Sequence, residues 1–152
     1  MPSGRHVTFE IVEHPGAVVL VPVLPDGRVL LVRQFRRAVA AELLELPAGT
    51  IERGEAPDAC ARRELAEEVG QAAARWEQLL AFYPSPGVMT ERMFLFLAQD
   101  LTPAVADREE EDLRVEAMPL AEARRRITTG EIRDAKSIVG ILIASERLAG
   151  AG

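Results

Sequence analysis

The segment GTIERGEAPDACARRELAEEVGQ, residues 49–71, constrains the chain more than any other, because it must form a helix while crowding carboxylates together. Pro57 suits a first helical position, Asp58 favours the positive end of the helix dipole, and Gly70 is placed to end the helix. The sequence therefore predicts a helix over residues 57–69. Within it Glu64, Glu67 and Glu68 stand at i, i+3 and i+4 and project from one patch. Like charges at that spacing repel by roughly 0.2–0.5 kcal/mol per pair when exposed, and by more where water is excluded.

A solvated acidic face would account for such a patch by itself. Two neighbouring features argue for more. Arg63 follows Glu55 by eight residues across the helix start, so the arginine is placed to pair with the loop glutamate and hold the loop to the helix. The glycine-bearing loop PAGTIERGE also brings backbone carbonyls close to the acidic patch. Carboxylates, a carbonyl and water make the hard-oxygen shell that Mg²⁺ or Mn²⁺ prefers, and a divalent cation turns mutual repulsion into stabilisation.

The rest of the chain predicts a mixed sheet flanked by helices. FEIVEHPG, from Phe9 to Gly16, alternates apolar and polar residues as a half-exposed strand does. AVVLVPVLPDGRVLLVRQFR reads as two apolar strands in a hairpin around Pro25, Asp26 and Gly27. ELLELPAG is a further short strand, and WEQLLAFY and ERMFLFLAQDL are strands separated by the breaker-rich PSPGVMT. An acidic run, DREEEDLRVEAM, leads to a helix in LAEARRRITTG. A last helix is expected over residues 135–148, with Ile138, Ile141, Leu142 and Ser145 sharing a face.

At 152 residues the chain fits one domain. Its formal net charge of −6 argues against a surface that coats nucleic acid, so an anionic ligand needs a local cationic device. Cys60 is the only cysteine, which excludes an intrachain disulfide and suits a reducing compartment such as the cytoplasm. The longest apolar run, residues 17–24, is interrupted by Pro22 and too short to span a bilayer, and the polar first fifteen residues give no sign of a targeting segment. Lys136 is the lone lysine among many arginines.

Gly49, Glu55, Arg63, Glu64, Leu65, Glu67, Glu68 and Gly70 reproduce the fixed positions of the Nudix box, and on that ground the chain resembles the Nudix hydrolase family. Gln71 departs from it, standing where the box has a bulky aliphatic residue. The resemblance implies an α/β fold of the α/β/α sandwich type with a mixed sheet and a loop-helix-loop that binds metal. It implies one domain over residues 1–152, with a short N-terminal strand region at about residues 5–14. The activity implied is metal-dependent hydrolysis of a nucleoside diphosphate linked to another moiety, with Mg²⁺, or Mn²⁺ in its place.

FEIVEH, VRQFR, LELPAG and SPG with the following Glu91 are similar to the ADP-ribose pyrophosphatase branch, which points to cleavage of ADP-ribose into AMP and ribose 5-phosphate. The alternatives are another nucleoside-diphosphate sugar, a dinucleoside polyphosphate, NADH or coenzyme A as substrate, or a module that binds ADP-ribose without hydrolysing it. By position, the resemblance makes Glu64 and Glu68 the principal metal ligands, Glu67 a further ligand and the Ala48 carbonyl a backbone ligand, with Glu55 and Arg63 the structural pair. It places Arg36 at the diphosphate, Ser85, Gly87 and Glu91 beside the terminal ribose, and Glu10 at the adenine across a dimer. A base for the attacking water comes from the acidic run, with Glu111 first and Glu110 next, and Glu68 completes the catalytic set. The branch implies a cytoplasmic homodimer with exchanged N-terminal strands, although only eight residues precede FEIVEH here.

Overall fold

The computed structural model describes residues 8–105 and 113–150. Strand β1 (Ala17–Pro22) is buried at all six positions, as expected of a strand covered on both faces. It pairs antiparallel with β4 (Ala48–Thr50) on one edge and parallel with β6 (Met93–Pro103) on the other. Strand β5 (Gln71–Phe82) completes this sheet, in the order β4-β1-β6-β5. A second, antiparallel sheet has the order β3-β2-β7, formed by β2 (Arg28–Arg36), β3 (Ala41–Glu45) and β7 (Arg114–Pro119).

Side-chain alternation along these strands builds two cores. Val19 and Val21 of β1, Val29 and Leu31 of β2, and Leu95 and Leu97 of β6 pack in one cluster with Ala123, Ile141 and Ala144. The intervening Val18, Leu20, Leu30, Val32 and Phe96 pack in the other with Cys60, Ala61, Leu65 and Val69. Those last four residues belong to α1 (Pro57–Val69), so α1 covers one face. The helices α2 (Leu120–Thr128) and α3 (Ala135–Ala149) cover the other, which gives the α/β/α layering expected. No helix among the described residues is long and apolar enough to cross a membrane.

Helix α1 has the predicted bounds. Pro57 opens it and Gly70, at φ 67°, closes it by donating its N–H to the Ala66 carbonyl at 3.0 Å. Gln71 then begins β5 opposite Pro103, half-buried, while Val69 seals the helix end against the core. An aliphatic residue is not required at position 71 for that reason.

Several expectations are corrected. The turn at Pro25 to Gly27 forms, with the Gly27 N–H on the Leu24 carbonyl and a single bridge between Val23 and Val29, but β1 and β2 part into different sheets. Both edges of β1 are already taken by β4 and β6, so no hairpin is available to β2. Phe9 to Gly16 is no continuous strand. Only Val12 forms a bridge, with Met89, because the segment runs past a loop and has no sheet edge to follow, and Phe9, Ile11 and Val12 stay exposed. The acidic run ends in β7, and α3 turns Leu142 outward, burying Ser137, Gly140, Ile141, Ala144 and Ser145.

Candidate active site

The helix and the loop before it place the predicted carboxylates around Arg63. Its guanidinium donates to Glu55 through Nε and Nη2, both at 3.0 Å, and through Nη1 to Glu64 at 2.7 Å and to Glu67 at 2.9 Å. A further bond from Nη2 to the Thr50 carbonyl, 3.2 Å long, ties the fork to β4. Glu55 also accepts the Glu52 N–H at 3.0 Å, so the loop is closed on itself as well as on the helix. The Arg63 hydrogen bonds hold the Glu55 carboxyl down at about 2, and those carboxylates raise the Arg63 guanidinium still further above its ordinary value.

Glu64 is the most enclosed of the helix carboxylates, with 8% of its surface exposed, and burial raises its pKa against the opposing pull of Arg63. Its carboxyl fills the space in front of Gly49. A Cβ built at Gly49 would lie 1.8 Å from the Glu64 Cδ, so this glycine is required by a close approach. Glu68 accepts the Ala48 N–H at 3.0 Å, which binds the helix to the start of β4. Cys60 is fully buried with its thiol near the Thr50 carbonyl, and that thiol is pushed up to about 12 by burial, as suits a packed residue rather than a nucleophile.

These groups wall a cavity of about 240 Å³ lined by Ala48, Gly49, Arg63, Glu64, Glu67 and Glu68 together with Gln34, Arg36 and Leu113. Three carboxylates, Glu55, Glu64 and Glu67, share the one guanidinium of Arg63, and Glu68 adds a fourth. The set is short of positive charge and consists of hard oxygen donors around an open space. It fits a divalent cation in donor chemistry and in charge. Among the described residues no three acidic, histidine or cysteine side chains are gathered as a ready cage, since Glu64 and Glu67 are turned onto Arg63.

A second cavity of about 410 Å³ adjoins the first and shares Arg36, Ala48, Gly49 and Thr50 with it. Arg36 donates to Glu45 through Nε at 2.9 Å and Nη2 at 2.7 Å, and these bonds raise its pKa. Glu91 lines this second cavity, with the His14 ring 3.6 Å away. Ser85 and Gly87 line neither cavity. They shape the nearby loop, where the Ser85 carbonyl accepts the Val88 and Met89 N–H groups. Glu10 is exposed on the N-terminal segment and lines neither. Glu110 and Glu111 lie outside the described residues, and Leu113, the first described residue after them, lines the carboxylate cavity.

The sequence reading missed a buried polar cluster on the floor of the second cavity. Glu45, 1% exposed, takes Lys136 as well as Arg36, and Lys136 also donates to Asp134 at 2.7 Å. Burial alone would raise the Glu45 carboxyl, but the Arg36 hydrogen bond and the Lys136 charge outweigh it and leave the pKa lowered. The available signal was the lone lysine two residues after the aspartate that caps α3.

A model of the NUDIX domain matches residues 13–139, and the chain belongs to the Nudix family. It is 40% identical over 144 residues to the ADP-ribose pyrophosphatase of Bacillus subtilis, covering 93% of this chain and 78% of that protein. It is also 40% identical over 146 residues to the ADP-ribose pyrophosphatase of Mycobacterium tuberculosis, covering 93% of this chain and 70% of the other. A crystal structure of an ADP compounds hydrolase superposes with a TM-score of 0.83 at 28% identity, over 92% of this chain and 74% of that one.

Proposed function

We propose that the chain forms one domain, and that it hydrolyses the pyrophosphate bond of ADP-ribose, giving AMP and ribose 5-phosphate. The observation that carries the reading is the meeting of an acidic wall, Glu64, Glu67 and Glu68, with Arg36, which lines both of two neighbouring cavities. One cavity has the charge to hold cations and the other has room for the remainder of a nucleotide. The 40% identity to two ADP-ribose pyrophosphatases supports the choice of substrate.

In this reading Glu64, Glu67, Glu68 and the Ala48 carbonyl hold Mg²⁺, with Mn²⁺ as a substitute. The ion, when bound, neutralises phosphate charge and makes a water more acidic. Arg63 and Glu55 keep the loop shut, so that Gly49 and Ala48 stay beside the helix. Arg36 meets the diphosphate with a guanidinium whose planar fork suits paired phosphate oxygens. Glu91, with Ser85 and Gly87 shaping its loop, borders the terminal ribose, and Glu111 or Glu110 takes the proton of the attacking water. Such a base needs hydrogen-bond reach to that water, and Leu113, two residues after Glu111 in sequence, lines the cavity.

Exposed Phe9, Ile11, Val12, Tyr83 and Val88 are large apolar groups that a second copy of the chain would cover, which supports a homodimer in which Glu10 approaches the partner's nucleotide. The buried thiol and the lack of a second cysteine suit the cytoplasm. The test is turnover of a panel of nucleoside diphosphates with Mg²⁺ and purified protein. ADP-ribose is expected to be cleaved fastest, and E64Q and E68Q are each expected to lower its turnover by about 100-fold or more with the fold retained. Intact ADP-ribose beside a cleaved rival would overturn the substrate, and full activity in both variants the metal assignment.

A further inference from the structure

We propose that Lys136 is a positioning residue for substrate binding, which acts through Glu45 to hold the Arg36 guanidinium at the junction of the two cavities with its charge available to an anionic ligand. The inference rests on the pyrophosphate-hydrolase reading above and deepens it. Lys136 is 7% exposed and Glu45 1%, so neither is a surface ion pair. Nζ donates to Glu45 Oε2 and to Asp134 Oδ2, while Arg36 grips both oxygens of the same Glu45. The Arg36 side chain keeps 40% of its surface exposed, where it lines both cavities.

Charge counting shows what the lysine adds. Two carboxylates, Glu45 and Asp134, face two cations, Arg36 and Lys136, so the cluster sums to zero. Without Lys136 it would carry one net negative charge behind Arg36. Glu45 would then be wholly committed to the arginine, and the cluster would repel the diphosphate that Arg36 is meant to receive. Shared with Lys136, Glu45 fixes the planar fork of Arg36 without cancelling its charge.

The anchorage of the lysine is equally specific. Asp134 caps α3, accepting the Ser137 N–H at 3.1 Å and its hydroxyl at 2.6 Å, and that hydroxyl in turn accepts the Leu46 N–H at 2.7 Å. The start of α3 is thereby locked to Glu45 and Leu46. A lysine held at both ends of such a lock has one geometry to offer its carboxylate. A buried amine that merely filled space would not be placed between the cap and the residue that orients an arginine in the cavity.

Steady-state kinetics on ADP-ribose with Mg²⁺ separate this role from a merely structural one. K136M is expected to raise KM about tenfold with kcat within threefold of wild type, and K136R to restore most of the loss. In an R36Q background, K136M is expected to add less than twofold, because its effect passes through Arg36. Unchanged KM in K136M, a fall confined to kcat, or a full tenfold effect on top of R36Q would each overturn the proposal. If K136M fails to fold by circular dichroism, K136Q, which removes the charge but keeps a hydrogen-bonding side chain, is expected to show the same rise in KM, and a wild-type KM there overturns it. Wild-type protein that ignores ADP-ribose counts against the substrate alone. Calorimetry with inorganic pyrophosphate and Mg²⁺ then decides, with binding about tenfold weaker in K136M expected and equal binding refuting.

Discussion

Replacing Gly49 with alanine should disable the site through a single misplaced carboxylate. The new Cβ would lie 1.8 Å from Glu64 Cδ and 1.9 and 2.3 Å from its oxygens. Ordinary contact is about 3.5 Å, so the carboxyl must retreat by roughly 1.5 Å. That breaks its 2.7 Å hydrogen bond with Arg63, a charge-assisted bond worth about 1.5–3 kcal/mol. Arg63 keeps Glu55 and Glu67 and the displaced group meets water, so the net loss should be about 1–2 kcal/mol. In a domain of this size that lowers Tm by about 2–8 °C. Activity should fall further, about 100-fold, because a group displaced by more than 1 Å no longer meets its ligand. Gly54→Ala is the control. Its φ of 82° costs strain of about 1 kcal/mol, but a Cβ there meets nothing, and turnover should stay within threefold. The assays are thermal unfolding and turnover of ADP-ribose over a Mg²⁺ titration. Turnover and Mg²⁺ half-saturation in Gly49→Ala within twofold of wild type would refute the reasoning, since Glu64 would then work from another position.

Two further outcomes concern stability. The Glu55 carboxyl is held near 2 by Arg63, below its ordinary 4.5, so its contribution is present above pH 4.5 and lost as pH falls from there toward 2. Denaturant unfolding should therefore show wild type more stable than E55Q at pH 7 and the gap narrowing below pH 4.5 to close only toward pH 2, and a constant gap would count against the pairing. Gly140→Ala would gain about 1 kcal/mol in helix propensity but drive a Cβ to 2.4 Å from Leu46 Cδ1 and 3.1 Å from Leu95 Cδ1, an overpacking of about 1–3 kcal/mol. A lower Tm is expected, and a higher one would show that α3 has room to shift.

By itself the sequence determined whatever depends on neighbours along the chain. Helix α1 could be placed from Pro57 to Val69 because its start and stop are local chemistry, and Glu64, Glu67 and Glu68 share a patch because helical spacing puts them there. The partnership of Arg63 with Glu55 was legible for the same reason, since only Ala56 and about two helical turns separate them. The layered fold was legible from the apolar strands and flanking helices, and the family motif sharpened it.

What lay outside local reach was decided by the tertiary structure. Turn residues gave the bend at Gly27, but whether β1 and β2 would pair depended on β4 and β6, which occupy both edges of β1 from distant parts of the chain. The alternation in FEIVEH met no sheet edge along its length, so it did not become a strand. Leu142 fitted a helical stripe in the sequence, yet the face of α3 that meets the sheet is set by Gly140, Ile141 and Ala144. Glu45 and Lys136 are 91 residues apart in sequence and read there as a strand glutamate and a lone lysine. Only folding, by excluding water from both and leaving each as the other's compensation, joins them under Arg36.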